Sequence, residues 1–224
     1  MQDLNLIQQL AVFILPLIFA ITVHEAAHGW VADRLGDRTA RMLGRITLNP
    51  VPHIDPIGTL AVPLGLYALS TLSGGGGLIF GWAKPVPVNP KNFQHYRRDM
   101  ALVAIAGPAS NLMMMIFWAL MLRLGMSLEQ TALWVAEPLA YMGVGGILIN
   151  AILIVLNLLP LLPLDGGRVL ASLLPPPLAQ KYARLEPWGM FILIGLMVTG
   201  ILWPIMQPLL RGSQSLAYAI AGVL

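Results

Sequence analysis

The sequence predicts an all-α polytopic membrane protein, with about four full transmembrane helices plus a re-entrant or hairpin segment carrying possible short β-strands. Three observations lead there. Of the 224 residues, 57% are hydrophobic and only 10% charged, whereas soluble domains carry about 25% charged residues. Mean hydropathy is +0.76. Five stretches hold no charge at all: 4–24, 56–83, 100–122, 138–164 and 187–210. Each can supply the roughly 20-residue helix that crosses a bilayer core.

The first span, from residue 4, should stay helical through His24-Glu25-Ala26-Ala27-His28, with Gly36 as its stop. A basic stretch rich in Pro and Gly follows, reading as turns with a short strand around Arg45 to Leu48. Residues 57–83 are apolar, but Gly58, Pro63, Gly65 and the run Gly74 to Gly77 weaken a straight spanning helix. Cleaner spans cover 100–122 and 138–164, with Gly107-Pro108 kinking or starting the former. A last span covers about 188–210, and the apolar tail after it is too short to cross. The stretch before Glu25 lacks a basic leader and a small-residue cleavage site, so it reads as a retained helix and not a cleaved signal. Trp30, Trp82, Trp188 and Trp203 fall near span ends and read as interfacial anchors, and Met113 to Met115 as lipid or packing contacts.

Loop charges set the orientation. Basic residues cluster at Arg34, Arg38, Arg41 and Arg45, at Lys84, Lys91, Arg97 and Arg98, and at Arg168, Lys181 and Arg184. The positive-inside rule places all three clusters in the cytoplasm. The first two flank the interrupted apolar segment, which should therefore enter and leave on one side, as a re-entrant element of about residues 45–83. Both termini then lie outside. The net charge of +3 bears on this topology and gives no reason to expect a nucleic-acid partner. Cysteine is absent, so a metal site must draw on His, Asp or Glu.

His24 and His28 have the HExxH spacing. Four residues apart on a helix, both imidazoles share one face and can reach a single cation. Glu25 is turned away from ligation and is free to act on a water. In a soluble helix such a match is often an exposed polar face. At the end of a membrane span, ionisable groups are costly and need partners. A catalytic zinc takes three protein ligands and keeps one open position. His53 and His95 lie in polar loops and read as solvated. Asp165 is the better third ligand, although with Gly166 and Gly167 it could simply be a helix-end turn. Parity favours the ligand: with 57–83 re-entrant, span 138–164 returns Asp165 to the depth of the histidines, whereas a single crossing would put it on the opposite face.

HEAAH in the first span, GPASN at Gly107 to Asn111, and NLLPLLPLDGGR at Asn157 to Arg168 together resemble the site-2 proteases, intramembrane zinc metallopeptidases that cut transmembrane segments of other proteins. The resemblance runs from the first span to Arg168. It implies one Zn2+ per chain held by His24, His28 and Asp165, with Glu25 as general acid/base. It also implies a core of three helices, with a re-entrant β-like element between the first two. The chain reads as a single membrane-embedded peptidase domain over 1–224, with a core of 4–170, the re-entrant segment of about 45–83 and an accessory C-terminal span of about 188–210. The chain departs from better-known members in its expanded 57–83 segment and lacks a PDZ or CBS-like appendage.

The expected partners are a transmembrane protein substrate and the lipid bilayer, and the expected location is a prokaryotic plasma membrane with the site toward the cytoplasm. Asn111 and Asn157 are polar residues in apolar spans, read either as interhelical hydrogen bonders or as groups that orient substrate. An unwound substrate could add as a strand along the re-entrant segment near Pro63 to Leu66. Two other classes compete: a transporter or ion pathway built on intramembrane ionisable groups, and a catalytically silent relative acting as a membrane adaptor. Zincin spacing and the absence of repeated halves weigh against the first, and the intact Glu25 against the second.

Overall fold

The computed structural model describes residues 6–65 and 81–223. Three helices are long and apolar enough to cross a membrane: α1 (Leu6–Arg34), α2 (Tyr96–Leu128) and α3 (Leu133–Asn157). Then come α4 (Asp165–Leu173), α5 (Pro176–Ala183), α6 (Glu186–Val198) and α7 (Leu202–Ala221). The described residues contain no strand. Large apolar side chains stand exposed along the outer faces, among them Ile14, Phe19, Leu112, Met113, Phe117 and Leu120. A water-soluble surface would not carry so many contiguous apolar groups. The protein is an integral membrane protein.

The first span ends as its sequence dictates. Helix α1 closes at Arg34, and Gly36 leaves it at φ 108°, a conformation that costs glycine little. Three side-chain contacts set the register of the core. His28 reaches Val103, Asn111 reaches Ala20, and Asn111 reaches Asn150. Residue numbers rise along α1 where they fall along α2, so α1 and α2 are antiparallel; α2 and α3 are related in the same way. Gly125, Gly143 and Gly146 line the α2–α3 contact, where small residues let the backbones approach. The chain between α1 and α2 therefore leaves and re-enters at one end of the bundle, as the loop charges require.

That connection departs from expectation in detail. Arg45 to Leu48 is irregular and not a strand. Among the described residues no neighbouring strand offers it a ladder, and the Arg45 guanidinium instead donates to the carbonyls of Lys84 and Pro85 at 2.8 and 3.3 Å. Residues 56–65 form a short apolar helix that opens with a π-helical turn, Pro56–Ala61. Asp55 caps it, accepting from the amides of Ile57 and Gly58 at 2.9 and 2.7 Å. Pro63 to Gly65 is thus helical and offers no strand edge. Leu66 and the rest of the expected re-entrant segment, 66–80, lie outside the described residues. Residues 81–89 that follow are in neither helix nor strand.

The last expected span is not one straight helix. Helices α6 and α7 meet at 85° across a break of a few residues, with Gly200 at φ 74°. The supposed tail belongs to α7, which runs to Ala221. Helix α7 packs on α2 and α3, and Leu193 of α6 joins the same core with Met115, Trp118, Ile147 and Met206. Pro108 sits inside α2, which is helical on both sides of it and does not begin there. Trp30, Trp188 and Trp203 are exposed, as anchors would be, but Trp82 packs over Gly58 instead.

Candidate metal centre

Three elements converge on one buried point. Helix α1 brings His24 and His28 side by side, their rings 4.7 Å apart and nearly perpendicular. Helix α2 backs them closely: a Cβ on Gly107 would lie 2.5 Å from His24 Cε1 and from His28 Nε2. Asp165 arrives as the first residue of α4. Its two glycines begin this helix and do not end the previous one, because α3 stops at Asn157 and a turn intervenes. A Cβ on Gly166 would collide with the Leu158 carbonyl, and one on Gly167 with the backbone of Leu161 and Leu162. Only a chain bare at both positions can fold back so tightly. His24, His28 and Asp165 are all buried.

The donor atoms have the separations that a tetrahedral ion demands. Nε2 of His24 and Nε2 of His28 are 3.1 Å apart. Asp165 Oδ2 lies 3.2 Å from the first and Oδ1 3.4 Å from the second. Ligands at zinc bond lengths of about 2.0–2.1 Å in a tetrahedron stand about 3.3 Å from each other. Hydrogen bonds fix the tautomers. His28 Nδ1 faces the Val103 carbonyl at 2.7 Å, which can only accept, so Nδ1 carries the proton. Asn111 donates to the Ala20 carbonyl at 3.2 Å, which turns its own oxygen toward His24 Nδ1 at 2.5 Å; that nitrogen also donates. With both rings neutral, the Nε2 lone pairs and the carboxylate form an acceptor-only set turned to one point, which a bound cation satisfies, so the residues fit zinc. Among the described residues no other such group of His, Asp and Glu occurs.

Around this point is a cleft of about 220 Å³, walled by Glu25, Trp82, Val86, Asn157 and Arg168 as well as the three ligand candidates. A second cavity of about 400 Å³ shares Glu25, Trp82 and Asn157 and extends along Leu17, Ile21 and Leu153. One Glu25 oxygen accepts from the Val86 amide at 2.8 Å.

Several proteins resemble this chain over most of its length. "Putative zinc metalloprotease YwhC" of Bacillus subtilis is 38% identical over 200 residues, which cover 87% of this chain and 85% of the relative. The chain belongs to the site-2 protease family. "Putative zinc metalloprotease Rip2" of Mycolicibacterium smegmatis is 28% identical, covering 84% of this chain and 68% of the relative. Rip2 of Mycobacterium tuberculosis is also 28% identical, covering 81% and 63%. No family model matches, and neither does any solved structure. The protein is a zinc metalloprotease with membrane-spanning helices.

Within this site-2 protease, the residues picked from sequence separate into distinct places. Asn111 is fully buried behind His24, its side-chain oxygen toward the ring. Asn157 is half-buried on the cleft wall, its amide nitrogen donating to the Leu153 carbonyl at 3.0 Å. His53 is not solvated but 2% exposed, its Nε2 3.1 Å from the Thr47 carbonyl, where it props the loop after α1. His95 is exposed at the start of α2. Sequence reasoning missed Val86 and Asn150, and it read Gly107 for its helix and motif without its closeness to the ligand rings. Asn150 had a signal, a polar amide in a highly apolar span, as Asn157 is. Val86 had none, since it acts through its backbone.

Proposed function

We propose that the protein is an intramembrane zinc metalloendopeptidase that hydrolyses peptide bonds in transmembrane segments of membrane proteins. The observation that carries this reading is the convergence of two imidazole nitrogens and a carboxylate, 3.1–3.4 Å apart, beside the Glu25 carboxylate in a cleft among spanning helices. His24, His28 and Asp165 hold one zinc per chain, which when bound supplies Lewis-acid chemistry, acidifying water and polarising a carbonyl. Glu25 accepts a proton from the attacking water and passes it to the leaving nitrogen. The Val86 amide steers the Glu25 carboxylate without occupying its second oxygen.

A substrate helix hides its carbonyls in i to i−4 bonds and must open locally before hydrolysis. The freed backbone then needs new partners. Residues 81–89, which form neither helix nor strand, run beside the cleft, with Trp82, Ala83 and Val86 on its wall, and their backbone groups outside any helix ladder support docking of an unwound segment. Asn157 binds substrate backbone from the opposite wall, and Asn111 serves as a support of His24. The whole of 1–224 acts as one membrane-embedded peptidase domain, in a prokaryotic plasma membrane with the cleft toward the cytoplasm. The three basic clusters support that sidedness. Relatives named as metalloproteases leave the ion-pathway reading without support.

Glu25→Gln tests the proposal. The variant keeps zinc and loses cleavage of a transmembrane reporter in proteoliposomes; cleavage at the wild-type rate would remove Glu25 as the base.

A further inference from the structure

Behind the ligand pair, a line of buried amides leads away from the metal and into α3. Asn150 is fully buried and lines no described cavity near the site. Its Oδ1 accepts from Asn111 Nδ2 at 2.9 Å, and its own Nδ2 donates to the Gly146 carbonyl at 2.8 Å. Since the Gly146 carbonyl can only accept, the Asn150 amide has one allowed orientation. That orientation aims an acceptor at Asn111 and holds the Asn111 nitrogen away from His24.

We propose that Asn150 is a positioning residue of the metal centre: through Asn111 it sets the His24 tautomer that leaves Nε2 free to ligate. The inference rests on the zinc reading given above. An asparagine amide is nearly symmetric in shape, so a buried one is kept from flipping only by its partners. A flipped Asn111 would present N–H to His24 Nδ1 and drive the ring proton onto Nε2, where it blocks ligation. Two acceptors prevent this. The Ala20 carbonyl is the longer, at 3.2 Å, and lies inside α1, where it already serves the helix ladder. Asn150 is the shorter and has no competing donor among the contacts described. Groups in this position typically change metal affinity by 10–100-fold when removed.

Zinc affinity of the purified full chain, measured by chelator competition, tests the proposal, with thermal stability and the Co2+ absorption spectrum read in parallel. Asn150→Leu is expected to weaken zinc by about 10-fold or more and to alter the Co2+ spectrum. In an Asn111→Ala background the same substitution should add no further loss, because the path to His24 is already cut. Asn150→Asp keeps an acceptor oxygen in place and should retain affinity, which covers the case in which the leucine variant does not fold. Wild-type affinity in Asn150→Leu, full additivity with Asn111→Ala, or equal loss in Asn150→Asp would each overturn the proposal. A wild-type chain that binds no zinc would overturn the metal reading itself, and this inference with it.

Discussion

Gly107 faces His24 so closely that a methyl group on its Cα would stand 2.5 Å from the imidazole Cε1. The same methyl would meet His28 Nε2 at 2.5 Å, so a residue with no side chain of its own shapes both ligand rings. Gly107→Ala should therefore push the imidazoles apart. Overpacking of this kind costs about 1–3 kcal/mol, and zinc affinity should fall by about 10-fold or more as the donors leave their positions. Metal content by mass spectrometry, alongside thermal unfolding, checks this; a stable variant with full zinc would contradict it.

Gly166 and Gly167 predict a different failure. A Cβ at either strikes backbone and not a movable side chain, so the turn that delivers Asp165 must open. Gly166→Ala should lose zinc while α1 to α3 remain packed, since those contacts lie elsewhere. Circular dichroism with metal analysis separates the two effects: retained helicity with lost metal is the expected result.

Helical spacing explains how much of this was legible in the sequence. His24 and His28 announce themselves because a 3.6-residue period puts them on one face, and Asp165 could be placed by counting crossings between basic loops. The same counting has the 35–95 connection start and finish at one end of the bundle, as the antiparallel α1 and α2 require. Hydropathy measures apolarity and not straightness, so the bend at Gly200 stayed hidden in an uncharged run. The expected strand at Arg45 to Leu48 failed because a strand needs a neighbour, and Arg45 turned its guanidinium to carbonyls instead. His53 looked solvated because its loop is polar, yet the loop folds over it. The role of Val86 depends on an amide that every residue but proline possesses.

Asp37 anchors the far side of the site. It is buried and accepts from Thr39, from the Asn89 amide and from Asn92, tying 89–92 to the end of α1. Burial works against its charge, but these hydrogen bonds outweigh it and hold the carboxyl below the ordinary range. Asp37→Ala should cost about 1–3 kcal/mol with zinc content unchanged. A carboxylate whose folded pKa is depressed stabilises fully above its unfolded value and loses that stability as pH falls through the folded one. The gap in Tm between wild type and variant should accordingly begin to close near pH 4 and vanish at more acidic values. A gap independent of pH would argue that the lost contacts are not those of the charged group.

Asp165→Asn removes the anionic member of the ligand set that faces the two imidazoles. The variant should bind zinc at least about 100-fold more weakly, since a neutral amide is a poor ligand beside carboxylate and imidazole. Isothermal titration of the demetallated proteins reads the difference; equal affinities would remove Asp165 from the ligand set.

Zinc-edge X-ray absorption of the purified wild-type protein measures the central feature without relying on any substrate. It should report about one zinc per chain in a shell of nitrogen and oxygen at about 2.0–2.1 Å, with the outer scattering of two imidazoles. A shell without imidazole, or a protein that retains no zinc, would contradict the meeting of His24, His28 and Asp165 around one ion.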